Sequence, residues 1–189
     1  MDLSKLSIFG LIAVVYAWLV ILYCISLNPW FIFTVHAFSD LGAPDANNPW
    51  IYNNGMISIG VLIIIYSIYL VWSSVNKLTT VGGSFVFISG IFLMLIGLYP
   101  AGTRPHVFVS TWFFIQFDLA IIAWSLGMYL YNRDKLSLSA LVIGLIAPVI
   151  GFGVDWPSAA MAETFGIIVI DYWVFISFIK TREVLPAKG

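Results

Sequence analysis

Charge is what this chain has least of. Eight basic and nine acidic residues in 189 make 9%, against roughly 25% in a soluble globular domain. That excludes a soluble fold, and a net charge of −1 gives nucleic acid nothing to bind. Cysteine is nearly absent too. The single Cys24 rules out an intramolecular disulfide and, inside an apolar run, reads as a small buried apolar residue. The two histidines, His36 and His106, fall in no HxxxH or HExxH spacing, so no metal ligand set is expected. Internal repeats and the paired half-helix breaks of many secondary transporters are also missing.

Present instead is hydrocarbon: 61% of residues are hydrophobic and 17% aromatic. A helix needs about 20 apolar residues to cross a bilayer, and only helices and closed barrels satisfy their backbone there. Six such runs are expected over 7–27, 51–74, 81–100, 107–131, 138–155 and 163–180. The fold class is therefore an all-α integral membrane protein, with 1–189 forming one membrane-embedded bundle, because the connections are too short for a second domain. The first run is longer than a secretory h-region and no small-residue cleavage site follows it, so it is expected as a retained span.

Six spans with the N-terminus inside put Lys5, Lys77, Arg133, Lys135, Lys180, Arg182 and Lys188 on the cytoplasmic side and only Arg104 outside. Under the positive-inside rule this split predicts a multi-pass cell-membrane protein with both termini cytoplasmic. His36, Asp40, Asp45, His106, Asp155 and Glu163 then gather at the outer face, leaving Asp2, Asp134 and Glu183 inside. The longest connection joins the first two spans. Its first half, NPWFIFTVHAFSD, predicts a short interfacial helix with Trp30, Phe33 and Phe38 toward lipid. Its second half, LGAPDANNPW, is turn chemistry.

Gly83, Gly90 and Gly97 recur every seven residues in the third span, one face of a helix, and predict a close packing seam. Gly144 and Gly151 repeat the spacing in the fifth, with a kink expected at Pro148 between them. Ionisable residues at membrane depth carry functional weight. Asp118 lies near the middle of the fourth span, and Asp171 about 12 Å below Glu163 at 1.5 Å per residue. No lysine or arginine shares that depth. A shared proton or cation between the two is one reading, interhelical hydrogen bonding the other.

At the outer rim, Asn54 stacks with Ser58 and His106 with Ser110 at i, i+4, while Glu163 opens the sixth span. Ser39, Asp40, Asn53, Asn54 and Arg104 are expected to bind a ligand there, with His106 and Glu163 as acid/base groups. Ordinary solvated interface residues are the plain alternative.

These motifs, SDLG at 39–42, N-x-G at Asn53 to Gly55, Gly90 to Pro100, His106 and Glu163, resemble the prokaryotic membrane family called "domain of unknown function 998" over about residues 10–180. The resemblance implies a six-helix membrane protein, with Ser39, Asp40, Asn53, His106 and Glu163 at its recurring polar positions and Asp118 and Asp171 outside the pattern. It carries no activity and no cofactor. Three functions fit: an outer polar site for a lipid head group or small polar ligand with acid/base chemistry, proton or cation transport through Asp118 and Asp171, or an accessory subunit. Membrane lipids are the expected partners, with a membrane-protein partner or a homo-oligomer compatible with the same surface.

Overall fold

A computed structural model describes residues 3–184; Asp2 and Lys188, both placed on the cytoplasmic side by the charge reading, lie outside the described residues. Among the described residues the fold is entirely helical. A 3-10 turn at Leu3–Ser7 leads into α1 (Ile8–Leu27), followed by α2 (Pro49–Trp72), α3 (Lys77–Leu98), α4 (His106–Asn132), α5 (Lys135–Gly153) and α6 (Ala159–Val184). All six are long and apolar enough to cross a membrane. The expected spans match these helices to within four residues at each end, and the early starts of α3 and α5 lie at side-chain caps. Asn76 accepts the Thr79 N–H at 3.0 Å while the Thr79 hydroxyl oxygen accepts the Asn76 N–H, so α3 starts four residues early. Asp134 accepts from Leu136 and Ser137 and caps α5 in the same way.

Side chains at lipid depth gain nothing by leaving solvent, so helices meet where backbones can approach. The seam expected from Gly83, Gly90 and Gly97 is formed against α2. A Cβ at Gly90 would meet the Gly60 carbonyl oxygen at 2.9 Å, and one at Gly60 would meet the Gly90 oxygen at 2.6 Å. Gly82 and Gly127 do the same for α3 and α4, against the backbone of Trp124 and of Thr79. α3 is thus gripped on two sides, and its contacts with α2 and α4 dominate the bundle. Trp124, Phe117 and Trp173 interlock edge to face, joining α4 to α6.

α5 is packed only through its first half. Its buried residues, Ser137, Ala140 and Gly144, all precede Pro148. Gly144 packs on Ile121, whereas Gly151 and Gly153 have nothing within 4 Å of a Cβ position. Pro148 supplies no N–H for the Gly144 carbonyl, and past it Val149 and Phe152 are 71% and 74% exposed.

The first half of the α1–α2 connection differs from expectation. Residues 29–37 are turns and irregular backbone, and the only helical piece in the connection is a 3-10 turn, Phe38–Gly42, whose Phe38, expected toward lipid, is buried with Ser39 and Leu41. The reason lies in the hydrogen bonds. The Phe33 carbonyl accepts from the Ser158 hydroxyl and the His36 carbonyl from the Ala160 N–H, both tertiary partners, while the Ile32 N–H is taken by the nearby His36 Nδ1 side chain, so these groups are drawn away from a helix ladder. Trp30, Phe31 and His36 cluster at ring distances of 5.2–6.3 Å. At the opposite end, Lys180 lies 3.1 Å from Asp134 and 2.8 Å from Glu183.

Candidate functional site

The first turns of α6 meet the α1–α2 loop, and Glu163 stands at that junction. Ser158 starts α6: its hydroxyl accepts the Met161 N–H at 3.2 Å and donates to the Phe33 carbonyl at 2.6 Å. One turn on, Glu163 Oε2 accepts the Phe38 N–H at 2.8 Å. With the Ala160 to His36 bond at 3.0 Å, three hydrogen bonds clip the loop to the helix.

Two cavities share this glutamate. The inner one, about 100 Å³, lies between α1, α2, α3, α4 and α6 beneath the 3-10 turn, with Ser39, Tyr52, Tyr66, Ser110, Glu163 and Asp171 in an otherwise apolar wall. At roughly 30 Å³ per water it holds about three water-sized groups. The second, about 470 Å³, is a cleft between α4, α5 and α6 with Asp118, Thr111, Pro148, Gly151, Phe152 and Phe165 on its walls. Its volume falls within the range of about 300–1,000 Å³ typical of small-molecule sites. Glu163, Ser110, Phe114 and Ile170 line both and form the partition. The cleft exists because α5 loses its packing after Pro148 and because Gly151 puts no side chain into it. The α5 end is held by the Trp156 indole N–H, 3.1 Å from the Gly151 carbonyl.

Carboxyls are the only ionisable groups on the walls, apart from the tyrosines of the inner cavity: Glu163 and Asp171 in the inner cavity, Glu163 and Asp118 in the cleft. Asp171 Oδ2 accepts the Trp18 indole N–H at 2.8 Å, tying α6 to α1. Asp118 has no hydrogen-bond or ion-pair partner among the described residues, and Gln116 Oε1, also on α4, is buried without one. Asp118 and Asp171 therefore open on different cavities.

The other residues singled out by sequence are distributed differently. Ser39 lines the inner cavity beside Glu163. Asp40 turns back on its own backbone, accepting the Ala37 N–H at 2.8 Å. Asn53 donates to the Gly42 carbonyl at 3.0 Å, and its Oδ1 is buried without a partner. Asn54 is exposed, its carbonyl taken by Ser58. Arg104 is exposed in the α3–α4 turn. His106 is buried but lines neither cavity: its Nδ1 lies 2.8 Å from the Tyr99 carbonyl and closes that turn. The rim residues thus separate into a group at Glu163 and Ser39 and local turn fasteners at Asp40, Asn53 and His106.

Trp18 and Tyr52 are site residues that sequence reading missed. Trp18 is one of eight tryptophans in an apolar run and carries no local signal. Tyr52 sits one residue before Asn53, on the helix face toward the cavity.

As chemistry, a half-buried carboxyl facing an apolar chamber accepts hydrogen bonds from a hydroxyl, amide or ammonium group, while the aliphatic and phenyl walls take a hydrocarbon body. Residues 11–180 match the model of a family described as "Protein of unknown function (DUF998)". No curated protein and no solved structure matches the chain.

Proposed function

The chain belongs to the family described as protein of unknown function (DUF998), and from that premise we propose that this member binds a membrane amphiphile, its hydrocarbon in the α4–α5–α6 cleft and its polar head at Glu163 and Ser110. The carrying observation is the 470 Å³ cleft, mostly apolar along its walls, with the Glu163 carboxyl at the loop end and the Asp118 carboxyl deeper along α4. The cleft spans Ser110 to Ile121 on α4, about 16 Å at 1.5 Å per residue, a length suited to an acyl or alkyl chain. Membrane lipids are the natural source. The loop over Glu163, with Trp30 and Phe33 partly exposed on it, lies in the interface in this reading, with aromatics at head-group level.

The orientation belongs to the same proposal. Lys5, Lys77, Arg133, Lys135, Lys180 and Arg182 sit at the end opposite Glu163, and Arg104 at the Glu163 end. Both termini are then cytoplasmic in the cell membrane, and the amphiphile's head is at the outer face.

Decanol tests the binding. Equilibrium binding of radiolabelled decanol to the chain in phosphatidylcholine nanodiscs, with empty discs as blank, should saturate. Gly151→Leu, placed where a side chain meets open space, should weaken it about tenfold or more while leaving thermal stability unchanged. Binding unaffected by Gly151→Leu would place the amphiphile elsewhere.

A further inference from the structure

We propose that the α4–α5–α6 cleft selects a lipophilic cation, its charged nitrogen set against the Asp118 carboxyl. This rests on the amphiphile reading above for the cleft and its apolar walls, names the ligand's class, and sets a cationic head at Asp118, below the Glu163–Ser110 rim where a neutral head lies.

Asp118 lacks a partner that its position in the helix calls for. An ionisable residue within a membrane-spanning helix is costly and is normally paired with another side chain or with backbone. Asp171, at comparable depth, meets that rule through the Trp18 indole. Asp118 does not. It lines the cleft with no hydrogen-bond or ion-pair partner among the described residues, and no lysine, arginine or histidine lines the cleft to serve as one. The partner must therefore come from what enters.

The remaining walls narrow its chemistry. Phe114, Phe152 and Phe165 contribute three phenyl rings, and Ile115, Leu119 and Val169 add aliphatic surface. Phenyl rings attract ammonium groups through their quadrupole, an attraction that grows when the ion is desolvated. An anionic head would face two carboxyls, Asp118 and Glu163, with no compensating cation. A neutral hydroxyl would satisfy one acceptor without using the charge. A permanently or readily charged amine on an apolar body satisfies carboxyl, rings and aliphatic wall together. Size agrees: 470 Å³ accommodates about fifteen groups of roughly 30 Å³, enough for a ten-carbon amine. Asp118 lies eight residues, about 12 Å, deeper along α4 than Ser110, so the nitrogen of such a ligand sits well below the rim.

Decylamine and decanol, which differ only in the head, separate this inference from the reading beneath it. Binding of each radiolabelled probe is measured to the chain in phosphatidylcholine nanodiscs at pH 7. Decylamine is expected to bind at least tenfold more tightly than decanol. Asp118→Asn should erase that preference while leaving decanol affinity within twofold, and Asp118→Glu, which keeps the charge, should retain most of it. Retained decanol binding shows that the asparagine variant is folded. Equal affinity for the two probes in the unaltered chain, or a preference that survives Asp118→Asn, overturns the cation site and leaves the amphiphile reading standing. Failure of both probes to bind overturns the reading itself.

Discussion

Asp134 shows what a single carboxyl does at the end of the bundle opposite Glu163. Partial burial pushes its pKa up, but the Ser137 hydroxyl and amide and the Lys180 ammonium outweigh burial and hold it below the usual carboxylate value. A depressed folded pKa stabilises the fold above the unfolded value of about 3.9, and that contribution is lost as pH falls through the lower folded value. Thermal unfolding of the chain in detergent should accordingly show Asp134→Asn less stable than the unaltered chain from pH 7 down to about 5, with the gap closing below about pH 4. Solvent screening at this partly exposed position limits the gap to about 1 kcal/mol, or about 2–4 °C. A gap unchanged at pH 3 would mean that the charge plays no part. Other residues divide in ways their types do not announce. His106 and Asp40 looked chemical and serve turns, while Glu163 looked like one rim acid among several and faces two cavities.

Among the helices, glycine has two opposite uses. At Gly60 and Gly90 it brings two backbones together; at Gly151 it keeps a cavity open. The seven-residue spacing in α3 and α5 is the same, so spacing alone does not separate them. Substitution does. Gly90→Leu forces a side chain into the α2 backbone and should destabilise the fold by about 1–3 kcal/mol or more, seen as a lower unfolding midpoint or loss of expression. Gly151→Leu should leave the midpoint unchanged or slightly higher, because glycine costs roughly 0.8–1 kcal/mol in a helix and nothing within 4 Å opposes the new side chain. Equal damage from both would contradict the division of α5 at Pro148.

For the molecule as a whole, the asymmetry of charge and the asymmetry of packing run along different axes. The cations concentrate at one end of the bundle. The firm packing is α2–α3–α4, and the yielding side is α5 with the cleft beside it. Orientation is testable with single cysteines in a Cys24→Ser background. Asp45→Cys in the long loop should react with a membrane-impermeant maleimide on intact cells, whereas Arg133→Cys should react only after permeabilisation. The reverse pattern would invert the topology and place the Glu163 site at the cytoplasmic face.

Six spans and the glycine seam of α3 were legible in the sequence, because hydrophobic run length and small-residue period are local properties that lipid enforces on any helix; that α2 packs on that seam was not. The cost of Asp118 and Asp171 was legible too, since an acid at membrane depth is costly wherever it lies. Which acids share a cavity was decided by the tertiary structure. The Phe38 N–H that meets Glu163 comes from 125 residues away, and the indole that meets Asp171 from 153. Such partners depend on how helices are rotated and how a loop folds back, and no local period encodes that. The cleft beside Asp118 likewise arises only where α5, freed beyond Pro148, fails to close on α4 and α6.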